Sequence, residues 1–169
     1  MKVIDEGRLR FSFPKDWEVA KYDEWAYFQR FKSTCGGNKG IDLVAIDGSG
    51  QLWLIEIKDY RNSRRTKEIP LWDEFALKVR DTLAGLVAAA HNAGDDERAV
   101  ARKCLEARRL SVVLHLEQAA HRSKLFAAFP DPADLVLKLR TLLRPIDPHP
   151  RVVSASLPLK GSPWQVDSS

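Results

Sequence analysis

Asp42, Glu56 and Lys58 are charged residues set inside two of the most apolar stretches of the chain, Gly40–Ile46 and Gln51–Tyr60. Each stretch alternates or concentrates large apolar residues as a strand does, and Asp47-Gly48-Ser49-Gly50 between them supplies turn chemistry. Glu56 and Lys58 stand two residues apart, so both side chains leave the same face of their strand. Asp42 reaches that face if the pairing register is centred on the turn. Removing such charges from water costs several kcal/mol each, unless they pair with one another or hold a metal ion. Two readings follow: an ion pair carried on a strand face, or a small metal site. Two carboxylates that leave room for several waters suit Mg²⁺ or Mn²⁺, hard cations that resist full dehydration.

The elements that would position these groups can be read on either side. Arg8–Phe13 alternates as a strand and ends at Pro14. Asp16 is placed to cap a helix running to about Lys32, with Trp17, Ala20, Tyr27, Phe28 and Phe31 on one side of its wheel. Glu24 falls inside that stripe, where a carboxylate either pairs with a buried base or snorkels at the helix edge. Ser33–Lys39 is a glycine-containing lead-in to Asp42, and Lys39 adds charge beside backbone N–H groups that can approach a phosphate. After the hairpin, Asp59–Lys67 carries Arg61, Arg64, Arg65 and Lys67, a run that either holds a phosphate backbone or is a solvated loop.

Pro70 opens a long helix to Asn92 whose apolar stripe runs from Trp72 to Ala90, with Lys78 and Arg80 flanking it. A shorter polar helix spans 95–109. Leu110–Leu116 reads as a strand reached by a parallel crossover, with His115 a hydrogen-bonded core histidine in preference to a ligand. A helix over 131–144 and a strand over 151–157 complete the expected order. Together these predict an α/β fold, a three-layer sandwich with a central mixed sheet flanked by helices. Residues 1–157 form one domain, and 158–169 trail as a loose tail from which Trp164 docks back.

The spacing Asp42…Glu56-Ile57-Lys58, with Gly-Ile-Asp-Leu-Val-Ala-Ile before it and Leu-Ile-Glu-Ile-Lys within it, resembles the motif of the PD-(D/E)XK nuclease superfamily. Ile41 stands where the name-giving proline would be. The likeness covers about twenty residues. It implies a restriction endonuclease-like core and a metal-dependent phosphodiesterase acting on nucleic acid, with DNA the first expectation and RNA left open. In that reading Asp42, Glu56 and the Ile57 carbonyl hold Mg²⁺ or Mn²⁺, and Glu24 from the first helix assists. Lys58 orients the attacking water. Lys39, Arg61, Arg64, Arg65 and Lys67 contact the phosphate backbone. A partner subunit would supply targeting, and a homodimer would ease the cutting of both strands. The rival on the same fold is a non-catalytic module that binds nucleic acid or protein.

Bulk properties permit these readings without selecting one. The 169 residues are 44% hydrophobic and 30% charged, with a net charge of +4. No run approaches the ~18 apolar residues of a membrane span, and Met1–Glu6 lacks the apolar core of a signal peptide. Cys35 and Cys104 show no metal-type spacing and read as reduced thiols, which predicts a cytoplasmic location.

Overall fold

A computed structural model of the chain describes residues 1–62, 65–119, 131–159 and 163–168. In chain order the elements are β1 (Lys2–Glu6), β2 (Leu9–Phe13), β3 (Glu18–Lys21), a 3₁₀ turn (Tyr22–Glu24), α1 (Ala26–Phe31), β4 (Leu43–Ile46), β5 (Gln51–Tyr60), α2 (Leu71–Asn92), α3 (Asp95–Glu106), β6 (Arg109–Gln118), α4 (Pro132–Leu143), β7 (Arg151–Val153) and β8 (Gln165–Ser168).

The central sheet has five strands in the order β3-β4-β5-β6-β7. It is mixed: β3, β4 and β5 run antiparallel in turn, whereas β5, β6 and β7 are parallel. The hairpin turn works as its residues suggest. Asp47 Oδ1 accepts from the N–H groups of Ser49 (2.8 Å) and Gln51 (3.0 Å), its Oδ2 accepts from Trp53 Nε1 (3.0 Å), and Gly50 takes φ 76°. A hairpin joins β4 and β5, but a parallel pair needs a long connection, and α2 with α3 supplies it between β5 and β6.

Alternation sorts the strands' side chains into two cores. Val44, Leu54, Val112 and Leu114 meet Phe75, Val79 and Leu86 of α2, Cys104 of α3, and Leu135, Leu139 and Leu143 of α4. On the opposite face Leu43, Ala45, Trp53, Ile55 and Val113 meet Phe11, Phe13, Trp17 and Trp164. The second covering layer is therefore a small antiparallel sheet of order β1-β2-β8, so the sandwich has helices on one side and strands on the other. Each fully buried Phe or Leu in these cores contributes about 1.5–3 kcal/mol relative to exposure.

Three expectations change. The helix predicted from Asp16 begins only at Ala26, because Glu18–Lys21 pairs with β4 instead. Trp17 packs in the strand-side core while Tyr22 and Phe28 pack in the helix-side core, and no single helix reaches both faces of a sheet. The predicted strand over 151–157 stops at Val153. The tail does not trail loosely: Gln165–Ser168 pairs with β2, and Trp164 is 4% exposed against Phe13, Trp17 and Trp53. That aromatic burial holds the C-terminal strand in place. Among the described residues no helix is long and apolar enough to cross a membrane.

The two thiols differ in setting, and this is directly measurable. Cys104 is buried, and burial pushes its thiol up to about 12, whereas Cys35 is exposed. One thiol per chain is expected to react quickly with a disulfide reagent in the native protein, and two in denaturant. Two fast thiols under native conditions would contradict the packing of α3 on the sheet.

Candidate functional site

Asp42, Glu56 and Lys58 do meet, and they meet on the helix side of the central sheet. Leu43 pairs with Ile55, so Asp42 lies opposite Glu56 one step along. Glu56 is 1% exposed and Asp42 8%. Lys58 Nζ lies 2.5 Å from Glu56 Oε1. A fourth group closes the cluster from α2: Lys78 Nζ lies 2.6 Å from the same oxygen and 3.7 Å from Asp42 Oδ1. Asp42 Oδ2 accepts the Ile57 N–H at 2.6 Å, so Ile57 meets the cluster through its amide. Two carboxylates thus face two ammonium groups.

The electrostatics follow from this geometry. Burial, with Asp42 next in importance, pushes the Glu56 carboxyl above its ordinary value while Lys78 and Lys58 oppose the shift. Burial works against the charge on Lys58, yet Glu56 and Asp42 outweigh it and hold the ammonium above its usual range. Lys58 is accordingly a fixed cation in this setting.

One face of α2 organises the site. Asp81 Oδ2 accepts the Lys39 N–H at 2.9 Å and Thr82 Oγ1 accepts the Ile41 N–H at 3.0 Å, which fixes the lead-in to Asp42. Lys78, Asp81, Thr82 and Gly85 lie at helical spacing along that face. In the sequence Lys78 stood only at the flank of the apolar stripe. Its place between Phe75 and Val79 was the signal that its ammonium turns inward.

Glu24 is not part of the cluster. It ends the 3₁₀ turn, its side chain is 64% exposed, and it pairs with Lys21 Nζ at 2.8 Å. Asp23 is the neighbour that senses Asp42: burial first, then the Asp42 charge, pushes its carboxyl up. The replacement of one continuous helix by a strand and a turn is what moved Glu24 outward.

The acid set does not fit Mg²⁺ or Mn²⁺. One Glu56 oxygen, Oε2, is buried without a hydrogen-bond partner, but a cation there would face the Lys58 and Lys78 ammonium groups. Among the described residues no group of three or more His, Cys, Asp or Glu side chains is placed to hold a metal ion.

The expected phosphate contacts divide between two regions. Lys39 is exposed, and it lies close enough to Glu74 to help stabilise that carboxylate. Lys67 and Arg65 ion-pair with Glu74, the latter at 2.9 Å. Burial opposes the Glu74 charge, but Lys67, Arg65 and Lys39 hold its carboxyl below the ordinary value. Arg61 turns away to Asp59 (2.6 Å) and toward Glu117. Arg64 lies outside the described residues.

A cysteine–tRNA ligase of Neisseria meningitidis serogroup A is 34% identical to the chain over 168 residues. The alignment takes in 80% of this chain and 24% of the ligase, so the chain spans about a quarter of that relative's length. No family model matches the chain, and no solved structure matches it. The likeness to a ligase overturns the expectation of a metal-dependent nuclease. Identity sustained over 80% of this chain outweighs a motif of about twenty residues, and the relative is named for joining, not for hydrolysis. Charge compensation by Lys78 gives the cluster a different physical reading as well. It is a compact ion-pair network in which two ammonium groups offset two carboxylates.

Proposed function

We propose that this chain is a tRNA-contacting module, related to part of a cysteine–tRNA ligase and placed beside its enzymatic chemistry. The observation that carries the reading is the 34% identity to that enzyme over most of this chain. Because the shared segment is about a quarter of the ligase, the nucleic-acid partner is assigned here and the joining reaction is not. Two features support it. The chain carries 27 Lys and Arg against 23 Asp and Glu, and Lys39, Arg65 and Lys67 gather around Glu74 at the start of α2. Glu74 holds Arg65 and Lys67 in place, while Lys39 stands exposed at the same edge. Such a group can grip a phosphate backbone without reading bases. The Asp42–Glu56–Lys58–Lys78 network has a supporting role: it ties β4, β5 and α2 together beneath this edge.

Binding of fluorescently labelled tRNA, followed by anisotropy across a salt series, tests the proposal. A linear fall of log affinity with log salt is expected. Lys39→Gln with Lys67→Gln should lower the slope by about 1.5, since each phosphate that a cation neutralises adds roughly 0.7–0.9 to it. Failure to bind tRNA at low salt, or an unchanged slope in the double variant, would overturn it.

A further inference from the structure

The end of α1 carries side chains that neither the charged network nor the Glu74 edge uses. Tyr27 and Phe31, one helical turn apart, stack with ring centroids 6.4 Å apart and planes within 19°. Both are half-buried and pack against the helix-side core, so the pair is anchored. Arg30 is exposed, and its Cζ lies over the Tyr27 ring, 5.5 Å from the centroid. An aromatic pair thus backs a guanidinium that faces solvent.

The charge around it is one-sided. From Ala26 to Ile41 the chain has Arg30, Lys32 and Lys39 and no Asp or Glu. All three cations are exposed, and among the described residues none of them forms an ion pair, whereas those around Glu56 and Glu74 do. Lys32 donates to a neutral oxygen, Gln29 Oε1. The loop that follows is tied back to the helix. The Asn38 N–H donates to the Lys32 carbonyl at 2.8 Å, and the Asn38 side-chain amide donates to the Phe31 carbonyl at 3.0 Å. The next amide, that of Lys39, is held by Asp81, and the Lys39 charge is felt at Glu74. A chain of contacts therefore runs from the end of α1 to the Glu74 edge.

Cations alone are enough to hold phosphates, but a guanidinium backed by an aromatic ring adds a plane on which a base can stack. Bases inside a duplex are already stacked on one another, so such a plane serves an unpaired base. We propose that the RNA-contacting edge extends onto α1 and takes a single-stranded stretch, with an unpaired base stacked on Arg30 and the flanking phosphates on Lys32 and Lys39. The inference rests on the tRNA reading above and names the form of RNA that this surface selects.

Anisotropy with one short labelled RNA, alone and annealed to its complement, tests this on the full chain. The single strand should bind at least about tenfold more tightly than the duplex. Arg30→Lys keeps the charge and removes the plane; it should cost about tenfold in single-strand affinity at an unchanged salt slope. Lys32→Gln should instead lower that slope by about 0.7. On a strand of abasic ribose-phosphate units, wild type and Arg30→Lys should bind alike. Equal affinity for single strand and duplex, or an Arg30→Lys variant that binds the single strand as tightly as wild type, would overturn the inference. So would a tenfold loss that persists on the abasic strand, since Arg30 would then hold a phosphate. Any of these results, with tRNA still bound and the slope still lowered by the Lys39 and Lys67 substitutions, sinks the stacking surface alone. No binding of any RNA at low salt sinks both readings.

Discussion

Lys78→Met is expected to destabilise the fold by about 3 kcal/mol, measured as a shift in the urea midpoint at constant m-value. The methionine matches the lysine stem in size, so the packing of α2 is preserved and the loss is electrostatic. Glu56, 1% exposed, would keep Lys58 on Oε1 but lose its second partner, and Asp42 would lose its ammonium neighbour. Breaking a buried pair costs about 3–5 kcal/mol because the remaining charge stays buried. The surviving Lys58 contact places this case at the lower end. The pH dependence has a definite sign. The folded-state Glu56 carboxyl already lies above its unfolded value near 4.5, and removal of Lys78 raises it further. A raised acid binds its proton more tightly when folded, so stability falls as pH rises above the unfolded value. The deficit of the variant should therefore be smallest near pH 4.5 and grow toward neutrality. Adding Glu56→Gln to Lys78→Met should recover most of the loss at neutral pH. A deficit independent of pH, or untouched by Glu56→Gln, would show that the network does not carry the effect.

Gly85→Ala should also destabilise, although alanine is the better helix former by about 1 kcal/mol. A Cβ built at Gly85 falls 1.9 Å from Tyr22 Oη and 3.3 Å from two carbons of Phe31. Tyr22 is fully buried between Trp25 (5.2 Å) and Phe28 (5.0 Å) and has little room to swing aside. Overpacking of this kind costs about 1–3 kcal/mol or more. The net loss expected is about 1–2 kcal/mol, read from thermal or urea unfolding. Tyr22→Phe removes the hydroxyl that collides, and that oxygen has no hydrogen-bond partner in the native protein. The double variant should regain most of the stability, a coupling that a double-mutant cycle isolates. Additive effects of the two substitutions would mean that α2 shifts away from the turn instead of meeting Tyr22.

Both predictions concern contacts between α2 and the segment before β4, where reading from sequence was weakest. The hairpin was legible because its information is local. Asp47-Gly48-Ser49-Gly50 sets the turn, the turn sets the register, and the register places Asp42 opposite Glu56 with Lys58 two residues on. The long helix from Leu71 to Asn92 was legible for the same reason, since its apolar stripe and the flanking Pro70 are local signals. Residues 16–25 were not. Their spacing fits a helix, but Trp17 is claimed by one core and Tyr22 by the other, and the sheet edge at β4 takes Glu18–Lys21 as a strand. Propensity yields where pairing and burial offer more.

The chain's own residues determined the mixed α/β class, the turn, and the convergence of three charged side chains, because periodicity and turn chemistry act within a few residues. Tertiary structure alone decided that Lys78 neutralises the acids, that Glu24 faces solvent, and that the last strand closes a second sheet. Each of those depends on groups brought together from distant parts of the chain. Their energies arise from burial and opposing charge, which no spacing within one segment records.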